Sequence, residues 1–376
     1  MPLDRLILCL VVIVLIGTGM VMIYNATDIQ AGEQSRYKDS HYFLKQQMMF
    51  LGIGVVAFFL VTAANYRWMI KFGWLFLLGA IGLLALVYTS LGVEVNGARR
   101  WLDFRIIRVQ PAEIASYSTI LFLVYMLSRK QRKMNSFFAA YVPMMIGTSI
   151  VLGLIVLQPN LSLTILIGST ALLLLFIGGV KPIHILYTVI AAIPFALILM
   201  LQSDYLLDRF HVWQDPFRYA GAKGLQPVES MVALGVGGLR GVGLGMSRQK
   251  LYFLPYCHND FIGAIIGEET GFVGMMFLLL LYVALAVCGL IIAMKVKDIG
   301  GYLLASGITV LITMQGLIHL GVVTASIPPT GVNLPFISYG GSNLIMNCIG
   351  IGILVNISRS TELQPKDKFT VQGPDG

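Results

Sequence analysis

Three carboxylates stand within ten residues of the segment HNDFIGAIIGEETGFVG: Asp260, Glu268 and Glu269. The segment reads as a loop entering a helix. At about 100° per residue, Asp260 shares a face with Gly263, Ala264, Gly267, Gly271 and Gly274, while Glu268 falls about 80° away and Glu269 opposite. A stripe of small residues lets two membrane helices approach closely, so Asp260 belongs at the end of a tight seam. Spacing alone leaves two readings of Asp260 evenly balanced. It could cap a helix whose first residue is Phe261, or it could be a functional acid or base, since ionisable groups at the membrane are functional by default. At least one of Glu268 and Glu269 is expected to pair with a base in the bundle. His258 stands two residues before Asp260, but no diagnostic metal-ligand spacing accompanies it.

Two further segments carry polar chemistry. NGARRWLDFRIIRVQPAE places Arg99, Arg100, Arg105 and Arg108 around Trp101. Arginine and tryptophan at an interface can simply anchor to headgroups. Four arginines within ten residues on an otherwise neutral face favour a clamp for a phosphate or diphosphate. Glu113 is expected to pair with one of them. SIPPTGVNLPFISYGGSN holds three prolines and three glycines, which exclude a continuous helix. Such backbone is tolerated at membrane depth only when buried in protein or lining a cavity. The run GVGGLRGVGLG suggests a phosphate loop, but no GxxxxGK[ST] is present, and Arg240 and Met246 occupy the third glycine positions of GxGxxG. A packed turn is the better reading, with eight glycines between Gly221 and Gly245 supplying tight bends.

The elements that must hold these groups are apolar helices. Of 376 residues, 57% are apolar and 12% charged, about half the charge of a soluble domain. A water-soluble enzyme, a disordered chain and a collagenous fibre are thereby excluded. Ten apolar blocks have roughly the length that crosses a hydrocarbon core: 6–24, 46–64, 73–92, 112–128, 137–157, 161–179, 182–201, 261–293, 301–323 and 342–357. The first is read as an uncleaved span. The eighth is too long for one crossing, so its first part, Phe261 to Gly271, should pack against the bundle before the full crossing begins. The fold class is an all-α polytopic membrane protein, with residues 1–360 as one integral domain and 361–376 as a disordered tail.

Numbering the breaks alternately puts thirteen bases and five acids on the side of both termini, and thirteen of each on the other. The whole surplus of +8 falls on one face, as the positive-inside rule expects for a cytoplasmic side. The basicity is therefore a topology signal and implies no nucleic-acid partner. Both termini are expected in the cytoplasm, with the long connection 202–260 outside. Cys9, Cys257, Cys288 and Cys348 are far apart and indicate neither disulfide nor zinc site.

At the three polar clusters the chain resembles the SEDS family (shape, elongation, division and sporulation) of bacterial cell-wall polymerases. The matching stretches are NGARRWLDFRIIRVQPAE, the run from VWQDPF through GLRGVGLGMSRQKLYFLP to HNDFIGAIIGEETGFVG, and PPTGVNLPFISYGGSN. Their wording is nearer the division-type member than the elongation-type member. The resemblance implies a peptidoglycan glycosyltransferase that polymerises lipid II on the outer face of the cytoplasmic membrane and releases undecaprenyl diphosphate. It places the essential aspartate on Asp260. As substrate-binding candidates it adds Arg99, Arg100, Arg209, Arg240, Arg248, Lys250, Glu268, Ser338 and Gly340. It also implies a divalent cation (Mg or Mn) at the diphosphate, a class B penicillin-binding transpeptidase and other division proteins as partners, and location at the septum. A lipid II transporter and a non-catalytic division scaffold are the alternatives. The chain departs from the family pattern at Ser116, where lysine is usual, and at Asn160 and Ser162, where QPDxG reads Gln158-Pro159-Asn160-Leu161-Ser162. It departs again at His319, usually asparagine, and at Tyr256, usually glutamate.

Overall fold

The computed structural model describes residues 2–33, 41–95, 97–104, 107–131, 136–221, 224–251 and 259–362. The expectations for Arg105, Tyr256, Cys257, His258 and the tail from 363 onward lie outside the described residues. The spanning-length elements are α1 (Leu3–Glu33), α2 (Tyr42–Ala63), α5 (Pro111–Arg129), α8 (Pro182–Leu201), α11 (Ile262–Lys295), α12 (Ile299–Val323) and α13 (Gly341–Glu362). To these is added α6 (Val142–Leu157), extended by a π turn at Phe137–Tyr141. These eight are long and apolar enough to cross a membrane, and the shorter apolar helices α4 (Gly73–Leu86) and α7 (Leu161–Ile177) fall on the two remaining blocks. The protein is a multi-pass helical membrane protein. Three short helices join the set: α3 (Tyr66–Lys71), α9 (Asp204–Gln214) and α10 (Leu225–Gly237).

Local signals set the helix starts. Pro111 and Pro182 stand in the first turns of α5 and α8, where a missing N–H goes unnoticed. Asn65, Asn160 and Asp298 cap α3, α7 and α12 through their side-chain oxygens. Helices α5, α12 and α13 are buried over most of their length and form the centre. Glycine lets their neighbours approach. A methyl group at Gly352 would lie 3.0 Å from Phe58 O on α2, and one at Gly289 would lie 2.2 Å from Thr309 Oγ1 on α12. By contrast, α8 buries only His184 and presents the rest of its surface outward.

The helical, multi-pass reading holds, and the structure adds to it a small three-stranded antiparallel sheet formed by β1 (Gly92–Val95), β2 (Ala98–Asp103) and β3 (Arg108–Val109). A register shift between Val93 and Glu94 leaves Arg100 without a partner residue on β1, while Arg99 pairs opposite Glu94, so the two arginines meet different surroundings. Among the described residues Glu113 pairs with no arginine, which corrects the expected ion pair. Its Oε1 accepts from Asn343 Nδ2 at 3.2 Å, in a buried network where Asn347 Nδ2 donates to Asn343 Oδ1 and Tyr117 OH donates to Asn347 Oδ1.

Candidate active site

Gly271 shapes the site. Its φ of +67° and ψ of −164° lie in a region open essentially to glycine, and they divide α11 into a short first segment and a full crossing. This is the division expected from the block's length. A break in a helix frees backbone groups that need partners in a dry setting. The glycine-rich turn after α10 supplies them. Phe272 N donates to Gly238 O (2.8 Å) and Val273 N to Leu239 O (3.2 Å), while Val242 N and Gly243 N donate to Glu268 O and Glu269 O. Gly238, Gly241, Gly243 and Gly245 all have positive φ, and a methyl at Gly241 would lie 2.1 Å from Glu269 O. The run GVGGLRGVGLG is thus a packed turn.

Both glutamates are consumed by this joint. Glu268 is buried and accepts from the Ser247 hydroxyl, from Arg248 N (2.9 Å) and from Gln249 N (3.3 Å). Glu269 accepts from Asn25 Nδ2 of α1 (2.8 Å) and faces Lys250 Nζ at 3.6 Å, both side chains being almost fully buried. Lys250 also donates to Gly245 O. Pairing with a base therefore holds for Glu269. Glu268 and Lys250 are corrected from substrate ligands to anchors of the turn, because their polar atoms are already engaged inside it. Arg240 and Arg248 stand exposed on the same turn, on the Gly271 side of the segment, whereas the cations acting on Asp260 are Arg209 and Arg100.

Asp260 precedes the short segment. Phe261 occupies the N-cap position and no side chain caps it, which removes the capping reading of Asp260. The seam forms as the small residues require. A methyl at Gly263 would meet His319 Nε2 and Val323 Cγ2 of α12 at 3.2 Å, and one at Gly267 would meet Leu234 of α10 at 2.2 Å. Facing Asp260 is the broken strap 324–340. A methyl at Gly331 would sit 3.3 Å from Asp260 Oδ2, so the absence of a side chain there keeps the carboxylate open.

The strap is pinned along its length. His319 Nδ1 bonds Val332 O (2.8 Å), Tyr282 OH donates to Pro335 O (2.7 Å), and Gly331 N donates to Ser162 Oγ (3.1 Å). Ser338 Oγ donates to Asn259 O (2.7 Å) and accepts from Leu334 N (2.8 Å). Gly340 N donates to Gln47 Oε1 at 3.3 Å. Ser338 and Gly340 therefore position the strap and the residue before Asp260, which corrects their assignment as direct ligands.

Arg209 on α9 donates to Pro329 O (2.9 Å), and Arg100 on β2 donates through Nε to Gln158 O (3.1 Å) and through Nη2 to Pro159 O. Arg99 stands exposed beside Glu94 at 3.6 Å and is corrected to a surface pair. Arg108 pairs with Asp103 at 3.1 Å. Partial burial pushes the Asp260 carboxyl up to about 6, against which Arg209 and then Arg100 pull downward. Among the described residues no donor reaches its carboxylate, so its lone pairs are open to an incoming hydroxyl.

Sequence reasoning missed two neighbours. Asn259 Oδ1 and Thr330 Oγ1 are buried without a hydrogen-bond partner among the described residues and stand beside Asp260 and Gly331 in the chain. Ser162 was visible only as a departure from QPDxG, yet it fixes Gly331. Among the described residues no three His, Cys, Asp or Glu side chains converge. With arginines as the charged neighbours of Asp260, this donor set does not fit a protein-held Mg or Mn ion.

Comparisons with known proteins agree with this architecture. The "Probable peptidoglycan glycosyltransferase FtsW" of Geobacter metallireducens is 35% identical over 354 residues, covering 94% of each chain. The "Stage V sporulation protein E" of Bacillus subtilis is 35% identical over 355 residues, 94% of this chain and 96% of its own. A solved chain from "Structural coordination of polymerization and crosslinking by a peptidoglycan synthase complex" superposes with a TM-score of 0.77 at 25% identity, over 95% of this chain and 98% of that one. The rod shape determining protein RodA of Thermus thermophilus gives 0.69 at 25% identity, over 94% and 96%. The cell cycle protein family of FtsW, RodA and SpoVE matches residues 5–363, and the chain belongs to it.

Proposed function

We propose that the protein is a peptidoglycan glycosyltransferase of the division type, which polymerises lipid II on the outer face of the cytoplasmic membrane at the septum. The observation that carries the reading is Asp260: a partly buried carboxylate with no donor among the described residues, open towards Gly331 and flanked by two arginines. An ordinary aspartate is a weak base, and one titrating near 6 takes a proton more readily while staying mostly ionised at neutral pH.

In the reaction the acceptor sugar hydroxyl attacks the anomeric carbon of the growing glycan as its proton passes to Asp260. The carbon–oxygen bond to the diphosphate breaks, and undecaprenyl diphosphate leaves with inversion. Arg100 and Arg209 sit where fixed positive charge would favour a diphosphate leaving group. Asn259 Oδ1 and Thr330 Oγ1 offer unmet hydrogen-bonding capacity beside the base. The sheet and the α9–α10 connection lie on the outer face, both termini face the cytoplasm, and a class B transpeptidase is the working partner.

The test is glycan polymerisation from purified lipid II by the protein with its inactivated transpeptidase partner, beside Asp260→Ala. Polymer from the native protein and none from a folded variant supports the enzyme. No polymer from either would move the reading to a lipid transporter or a division scaffold.

A further inference from the structure

The turn that closes the Gly271 break does more than satisfy backbone. Helix α10 buries Val228, Ser230, Ala233 and Gly237 and leaves Val232 and Val236 exposed. That outward stripe continues one turn later at Leu239, which is 72% exposed. Leu244 (65% exposed) and Met246 (68%) extend it across the glycine-rich turn. The hydrogen bonds from Phe272 N and Val273 N to Gly238 O and Leu239 O join this surface to α11. There Phe272, Val273 and Phe277 are themselves exposed on a membrane-spanning helix. Exposed apolar side chains therefore stand on both sides of this joint, on α11 and on the turn.

Charge accompanies it. Arg240 and Arg248 are exposed on the turn, and their guanidinium groups have no hydrogen-bond or ion-pair partner among the described residues. The acids nearest in the fold are unavailable, since Glu268 is held by the 247–249 backbone and Ser247, and Glu269 by Lys250 and Asn25. A surface with large apolar side chains, unpaired arginines and attachment to a lipid-facing helix has the chemistry of an interfacial anchor. The positive-φ glycines and the buried Glu268 clamp make it a rigid one.

We infer that the α10–turn unit is a docking surface for anionic phospholipid of the outer leaflet: Leu239, Leu244 and Met246 enter the acyl region, and Arg240 and Arg248 hold the headgroup phosphate. The inference does not depend on the reaction proposed above.

The test places one indole on the turn, Leu244→Trp, in the full-length protein reconstituted in mixed vesicles without lipid II. Quenching is read as the difference from the native protein when either the phosphatidylglycerol or the phosphatidylcholine is brominated. The expected result is quenching by both lipids, with phosphatidylglycerol effective at a lower mole fraction by about fivefold per arginine. That preference should disappear in Leu244→Trp carrying Arg240→Gln and Arg248→Gln. An indole unquenched by either lipid, as when a protein partner or water covers the turn, overturns the inference. So does equal quenching by the two lipids, since the arginines would then select no headgroup.

Discussion

Replacing Asp260 by asparagine should make the protein more stable and almost inactive, and the pH dependence of the gain is the sharper half of that statement. The carboxyl titrates near 6 in the fold against an ordinary 3.8. The folded protein thus binds this proton more tightly than the unfolded chain does, and the ionised form is a burden on folding at neutral pH. That gap converts to at most about 3 kcal/mol. The sign follows directly: the burden is complete above about pH 6, shrinks as pH falls towards 3.8, and is absent below it. Asparagine is close in shape and carries no charge, so it removes the burden. A chain of 376 residues unfolds with an entropy of about 0.8 kcal/mol per kelvin, so the full effect is a rise of about 4 °C in Tm. Thermal unfolding in one detergent at pH 8 and pH 4.5 measures it. Polymerisation should fall by about 10²–10⁴ in the same variant. In the native enzyme kcat/KM should decline below about pH 6 as the base is protonated. A variant that melts no higher than native at pH 8, or whose gain is the same at both pH values, would refute burial as the cause.

Three other perturbations read the surroundings of that base. Gly331→Ala keeps an ordinary backbone but sets a methyl 3.3 Å from Asp260 Oδ2; polymerisation should fall at least about tenfold with Tm nearly unchanged, because small displacements of reacting groups carry large rate penalties. Gly271→Ala combines a glycine-only conformation with a methyl 2.4 Å from Gly241 N, and should lower stability by more than about 2 kcal/mol in chemical or thermal denaturation. Ser116→Lys puts a cation at a position only 3% exposed and should lower Tm by itself, while adding Asn160→Asp should restore it. Identical melting in the single and double variants would show that the family's lysine and aspartate do not act as a pair here.

How much was legible in the sequence differs by element, and the physical reasons are local. Among the described residues, apolar block length marked the eight helices long enough to cross a membrane and the two shorter apolar helices α4 and α7, since burial in lipid demands it. The over-long eighth block marked the division of α11, because a continuous 34-residue helix exceeds one crossing. The strand pair at 92–103 was invisible. Its four- and six-residue runs alternate weakly, and arginines at 99 and 100 look equivalent until the register shift opposite them leaves one beside Glu94 and the other on the Pro159 carbonyl. Glu113 misled for a related reason. Proximity in sequence to four arginines suggested an ion pair, yet α13 brings Asn343 across from 230 positions away.

The sharpest lesson concerns the three carboxylates that opened the problem. They lie within one short segment, and composition gives no reason to rank them. What separates them is which backbone donors the fold brings within reach. The glycine-rich turn presents Arg248 N and Gln249 N to Glu268, and α1 presents Asn25 to Glu269 beside Lys250, so both acids are engaged inside the joint. Asp260 meets instead a strap in which three amides are already engaged elsewhere: Gly331 N by Ser162, Leu334 N by Ser338 and Gly340 N by Gln47. A carboxylate without donors is a poor structural element and a good base. Reactivity at Asp260 therefore depends on keeping those strap amides occupied. Ser162→Ala would free Gly331 N beside Asp260, give the carboxylate a donor, and move the acidic limb of the kcat/KM profile to lower pH. An unshifted profile in a folded Ser162→Ala protein would show that the strap's hydrogen bonds do not set the strength of the base.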